Sequence, residues 1–83
     1  MRIEIDQILL RLGLAIRTRR NALRLTQSAL AMRARISSAH LSGIERGQRD
    51  ASLLCLARIA KALRTTMEEL CEAIDGRTRR PRR

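Results

Sequence analysis

The side chains of this chain best suited to chemistry are recognition groups. Thr26, Gln27, Ser37, Ser38, His40, Ser42, Arg46, Gln48 and Arg49 bring hydroxyls, amides, an imidazole and guanidinium groups together within residues 26–49. Such groups exchange hydrogen bonds at a surface, and the guanidinium fork fits phosphate oxygens and guanine edges. No paired acids, nucleophile with a base, phosphate-cradling glycine loop or metal-ligand spacing accompanies them. No enzymatic activity, metal or cofactor is therefore expected.

Two short helices would position these groups. Thr26 suits the N-cap of a helix starting at Gln27, with Leu30 and Ala31 on its inner face. After a break at residues 33–36, Ser37 caps a second helix whose Leu41 and Ile44 stand three apart on one side. Gly47 supplies the stop. Ala31 is small enough to let the two helices cross closely beneath Ile36, Leu41 and Ile44. The outer face of the second helix, residues 38–46, then turns towards whatever binds, and in this geometry that helix enters a DNA major groove.

Leu41-Ser42-Gly43-Ile44-Glu45-Arg46-Gly47 resembles the XRE/Cro-like family of phage-repressor-type regulators. The likeness runs over residues 9–74 through Leu12-Gly13, Ile16-Arg17, Arg20, Leu25-Thr26-Gln27, Leu30-Ala31, Leu53, Leu56, Ile59-Ala60, Ala62-Leu63 and Leu70. With Gln48-Arg49 and Ser52-Leu53 added, the string looks most like the controller proteins of restriction-modification systems. The resemblance implies an all-α, five-helix lambda-repressor-like DNA-binding domain with a helix-turn-helix. It also implies an ion pair between the first helix and the recognition helix. Arg20 falls on the inner stripe four residues after Ile16, where a charge needs a partner, and Glu45 is that partner.

Charge fits a nucleic-acid partner. The chain carries 18 basic and 8 acidic residues for a net +10, and every basic residue except Lys61 is Arg. The acidic stretch Glu68, Glu69, Glu72 and Asp75 follows the motif and is expected to face away from phosphate. Without an aromatic residue, the chain cannot stack bases as single-strand and RNA binders do, which leaves duplex DNA. No apolar run suits a membrane span, and Met1-Arg2 leads into Glu4 and Asp6 rather than a signal-peptide core, so a cytoplasmic location is expected. Cys55 and Cys71 lie in helical patterns without a zinc spacing and read as buried, reduced thiols.

The periodicity predicts one domain over residues 1–75 and a basic, disordered tail over 76–83. The first helix is placed at residues 6–22, with Ile8, Leu9, Leu12 and Ile16 inward and Arg11, Arg17 and Arg19 outward. Residues 2–6 fit either a short strand or an extension of that helix. A fourth helix capped by Ser52 carries Leu53, Leu56, Ile59, Ala60 and Leu63 into the core. A fifth, after Thr66, has a stripe of Met67, Leu70, Cys71 and Ile74 that serves the dimer contact or the core. A chain of this length gains stability from dimerisation, and without a second domain no small-molecule effector site is expected, so concentration, partner binding or proteolysis would set its activity.

Base contacts fall to Ser38, Ala39, His40, Ser42 and Arg46, and phosphate contacts to Arg17, Thr26, Gln27, Ser37, Gln48 and Arg49. Ser38, Ala39 and Gly43 stand where many family members have long polar side chains, so thymine methyl contacts and DNA shape are expected to carry more of the specificity. Arg35 stands where the family often has Gly in the turn; it must adopt a left-handed conformation costing about 1 kcal/mol or change the turn. The function implied is a homodimeric transcriptional regulator on an inverted-repeat operator, a repressor or an activator acting with RNA polymerase. The alternative is a protein-binding module such as an antitoxin or antiactivator. The basic ring of Arg17, Arg19, Arg46 and Arg49 favours DNA.

Overall fold

The computed structural model describes residues 4–76, with the side chain of Ile5 excepted. Five helices follow one another: α1 (Ile5–Ala22), α2 (Gln27–Ala34), α3 (Ser38–Glu45), α4 (Leu53–Ala62) and α5 (Met67–Ile74). There is no strand among the described residues. Asp6 lies inside α1, so this segment extends the helix; the expectations for residues 2 and 3 and for tail residues 77–83 lie outside the described residues.

Each of the four later helices begins at a hydroxyl. Thr26, Ser37, Ser52 and Thr66 have extended backbones, and their side-chain oxygens accept from the amides of Ala29, His40, Cys55 and Glu69 at 3.0–3.1 Å. Each cap satisfies one of the amide groups that a helix start leaves without a backbone partner.

The first four helices end alike. After each, one residue turns left-handed and the next amide reaches back to close the last turn. The closing bonds are Leu25 N to Arg20 O, Ile36 N to Ala31 O, Gln48 N to Gly43 O and Thr65 N to Ala60 O, at 2.9–3.0 Å. The left-handed residues are Arg24, Arg35, Gly47 and Arg64, with φ of 57°, 60°, 72° and 55°. Arg35 therefore keeps the family's turn and accepts its strain.

α1 packs against α3 and α5, and α2 against α3 and α4. Ile16, Leu30, Leu41, Ile44, Ile59 and Leu63 are fully buried where these helices meet. The α1–α3 contact is backbone against side chain-free backbone: a methyl group on Gly13 would overlap the carbonyl oxygens of Ile44 and Glu45.

Four expected core positions differ. Ile8 is exposed and Leu9 only half-buried. Leu53, 76% exposed, is the first residue of α4 and points out while Cys55 points in. Cys71 is exposed on α5, where Leu70 turns into the core. Burial pushes the Cys55 thiol above its ordinary pKa, the Arg58 charge working in the opposite direction.

Candidate nucleic-acid interface

The centre of the site is an ion pair. Arg20 donates from Nε to Glu45 Oε2 at 2.8 Å and from Nη2 to Glu45 Oε1 at 3.0 Å, and its Nη1 reaches the Leu25 carbonyl at 2.8 Å. The two side chains are 12% and 2% exposed. Gln27 Nε2 adds a bond to Glu45 Oε1 at 3.1 Å. One buried carboxylate thus holds α1, the start of α2 and the end of α3 in register. Its charge is met by a planar guanidinium in two-pronged geometry.

Around this pair, Arg17, Gln27, Ser42 and Arg46 come together from α1, α2 and α3 at the rim of a shallow depression of about 230 Å³. Arg17 and Arg46 are exposed, and Arg46 Nε rests on the Ser42 carbonyl at 3.3 Å. Ser38 and Ala39 are exposed at the start of α3 and Ser42 is partly exposed one turn on. The Thr26 and Ser37 oxygens accept from amides of their own helices, which leaves each hydroxyl hydrogen to donate outward, as a phosphate contact requires.

Gln48 and Arg49 are exposed after α3, where both amides bond the Gly43 carbonyl, at 2.9 and 3.2 Å. The Arg49 side chain folds across Gly43; a methyl group there would sit 2.9 Å from Arg49 Cγ and Cδ. Gly43 is accordingly buried, and the guanidinium-bearing side chain of Arg49 occupies the surface that a longer residue at position 43 would have taken. Sequence reasoning missed this coupling, since a glycine gives no periodic signal.

His40 is half-buried. Its Nε2 is shielded from solvent and lacks a hydrogen-bond partner among the described residues. In this orientation it does not offer Nε2 to a groove.

Two arginines assigned outward are structural. Arg19 donates to the Leu63 carbonyl at 2.9 Å and the Arg64 carbonyl at 3.0 Å, and Arg11 to the Ile74 carbonyl at 2.9 Å. Both serve helix C-termini, where carbonyls lack intrahelical partners and a positive charge is favourable. Arg19 therefore leaves the expected basic ring. Of the residues assigned to a dimer contact, Met67 and Ile74 are half-buried, Cys71 is exposed, and Leu70 is 4% exposed and used within the chain.

No group of side chains among the described residues is arranged to hold a metal ion. No described helix is long and apolar enough to cross a membrane.

Comparison with known proteins places this arrangement. A helix-turn-helix family profile, HTH_3, matches residues 16–70. Among solved structures, the clp gene regulator ClgR from Corynebacterium glutamicum is 30% identical, with a TM-score of 0.80 over 83% of this chain and 88% of that one. The restriction-modification controller protein C.AhdI from Aeromonas hydrophila is 35% identical, with a TM-score of 0.73 over 75% and 94%. The controller protein C.Esp1396I is 26% identical, with a TM-score of 0.75 over 83% and 91%. No curated protein sequence matches. The chain belongs to the XRE-type helix-turn-helix family, whose members are DNA-binding regulators and not enzymes.

Proposed function

We propose that the protein is a sequence-specific, double-stranded DNA-binding transcriptional regulator that acts as a homodimer on an inverted-repeat operator. The observation that carries this reading is the convergence of Arg17, Gln27, Ser42 and Arg46 from three helices beside the exposed start of α3. α3 enters the major groove. Ser38, Ala39 and Ser42 meet base edges and thymine methyls, while Arg17, Arg46, Arg49, Gln48 and the capped starts of α2 and α3 hold phosphates on either side. With few long polar side chains on α3, DNA shape supplies a larger share of the specificity.

The dimer contact falls on α5 and its junction with α1. An open groove of about 510 Å³ there is lined by Leu14, Ala15, Ala22, Leu70 and Ala73, with Leu14 63% exposed. Of the α5 stripe only Leu70 lines it; Met67, Cys71 and Ile74 are not among its lining residues. Two α3 helices then enter successive major grooves, about 34 Å apart. Such a dimer represses a promoter by covering it and activates one by holding RNA polymerase from just upstream. Control of its own gene, in the cytoplasm, is the reading that the likeness to controller proteins supports.

The test is a titration against the duplex upstream of its own gene, with a scrambled competitor, at two salt concentrations. Tight, competitor-resistant, salt-sensitive binding by two subunits per site is expected. Equal, weak binding to both duplexes would favour a protein-docking module of the antitoxin or antiactivator kind. The exposed Leu14, Leu53 and Leu54 are the side chains that support that second reading.

A further inference from the structure

A second basic site, which shares no residue with the depression beside α3, is centred on the end of α2 and on α4, with Arg35 two residues before Ser37. Arg33 and Arg35 at the end of α2 and Arg58, Lys61 and Ala62 on α4 line an open pocket of about 460 Å³. Gln27, at the other end of α2, belongs to the depression beside α3. Arg35 is eight positions on from Gln27, about 12 Å at the α-helical rise. Along α4 likewise, Ser52 stands beside the recognition unit's exit loop, whereas Arg58 and Lys61 lie about 1.7 and 2.5 turns further on. The operator reading uses none of these four cations.

Helix-end electrostatics accounts for part of the cluster. Arg33 and Lys61 sit in the last turns of α2 and α4, where positive charge is favoured. It does not account for Arg58 in the body of α4, nor for Arg35, which carries its charge from a left-handed backbone that Gly would adopt without strain. No ion pair or hydrogen bond of these four side chains is present among the described residues. Four like charges share one concavity, and an anion relieves their repulsion. The partial negative charge of the two helix ends opposes it more weakly than four full charges attract it. The concavity is of small-ligand size, its single neutral lining residue is Ala62, and three of its cations are arginines whose forks match phosphate oxygens.

We propose that this pocket is a second anion site, and that it takes a compound bearing two or more linked phosphates. Ligand bound there bridges α2, the first helix of the DNA-binding motif, to α4, which gives this single domain a means of sensing a phosphorylated effector. The same chemistry is offered by the backbone of a second DNA segment, and the test separates the two sources.

Calorimetric titration of the full chain with sodium tripolyphosphate, in a background of sodium sulfate at matched ionic strength, is the first arm. Saturable binding at one site per chain is expected, weakened about tenfold or more in the exposed double variant Arg58→Gln/Lys61→Gln and unchanged in Arg17→Gln/Arg46→Gln. The second arm is the salt dependence of operator binding by Arg58→Gln/Lys61→Gln. An unchanged slope assigns the pocket to a free phosphate compound, and a slope lower by about 1 or 2 assigns it to DNA phosphates. No saturable binding, equal binding by Arg58→Gln/Lys61→Gln, or loss confined to Arg17→Gln/Arg46→Gln would overturn the proposal. Because the first arm contains no DNA, its failure is distinct from failure of the operator reading. Helical circular dichroism confirms that both variants fold.

Discussion

Arg20 and Glu45 are joined by two parallel hydrogen bonds of 2.8 and 3.0 Å, at a point where α1, α2 and α3 meet. The pair lines the same depression as Arg17, Gln27, Ser42 and Arg46, the residues proposed to face DNA. Removal of either partner strands the other charge, which costs about 3 to 5 kcal/mol for a buried pair. A domain of this size has roughly 4 to 12 kcal/mol in total. Arg20→Ala and Glu45→Ala should each therefore lose a large part of the folded state's margin, visible as a lower midpoint in urea followed at 222 nm. The double variant Arg20→Met/Glu45→Leu should recover most of it. Single variants that melt like the parent would show that the pair carries no such burden.

The two glycines on α1 and α3 respond to alanine in opposite directions. At Gly13 the added methyl meets carbonyl oxygens that cannot move without shifting α3, so Gly13→Ala should destabilise by about 1 to 3 kcal/mol. At Gly43 it meets only the side chain of Arg49, which can swing away. Gly43→Ala should then gain up to about 1 kcal/mol of helix propensity while displacing Arg49 from its place over α3. Denaturant melts give the two signs, and operator titration gives the cost of moving Arg49.

Three left-handed arginines offer a stabilisation that touches no contact of the core. Arg24→Gly, Arg35→Gly and Arg64→Gly each relieve a strained φ and should raise stability by up to about 1 kcal/mol, less the extra entropy that glycine gives the unfolded chain. A thermal melt of the triple variant below that of the parent would count against strain at these turns.

The thiols should separate by reactivity. Cys71 is exposed, whereas Cys55 is buried and its thiol is held above its ordinary pKa. A smaller fraction of Cys55 is thiolate at any given pH, so its alkylation lags through neutral pH and rises only as pH passes above the usual thiol range. Timed iodoacetamide labelling with peptide mass analysis is expected to modify Cys71 first. Equal rates would contradict the placement of Cys55.

On the DNA side, Arg46→Gln and Arg17→Gln should weaken operator and scrambled duplexes alike and lower the salt slope by about 1 each. Ser42→Ala should instead narrow the difference between the two duplexes, by about 1 kcal/mol for one lost neutral hydrogen bond. Competition titrations at several salt concentrations separate the two behaviours.

The starts of α2 to α5 were legible because each is marked by a Ser or Thr, and Arg20 was legible because a charge stood out on an apolar stripe. The destination of Arg11 and Arg19 was not. Helical phase tells which way a side chain leaves its own helix, but not that the carbonyl end of α4 or α5 lies in front of it. Leu53 and Cys71 were misplaced for a related reason: a stripe drawn along a helix is wider than the strip its neighbours cover. Gly13 and Gly43 gave no periodic signal at all. Their roles appear only as the space that the backbone of α3 and the side chain of Arg49 occupy.

The carbonyl contact at Gly13 has a mechanical meaning. At Gly13 no side chain separates α1 from the end of α3, so there is no cushion there on which α3 can roll or slide, and it travels as part of a stiff block. In the proposed dimer two such blocks behave as a caliper with fixed jaws. Misfit at a poor operator must then be absorbed by the duplex, through its more pliable base steps. One base pair inserted between half-sites turns one of them by about 35° and moves it along the axis. A caliper of this kind tolerates little of either, so the length of the operator's spacer is as much a part of its address as its letters.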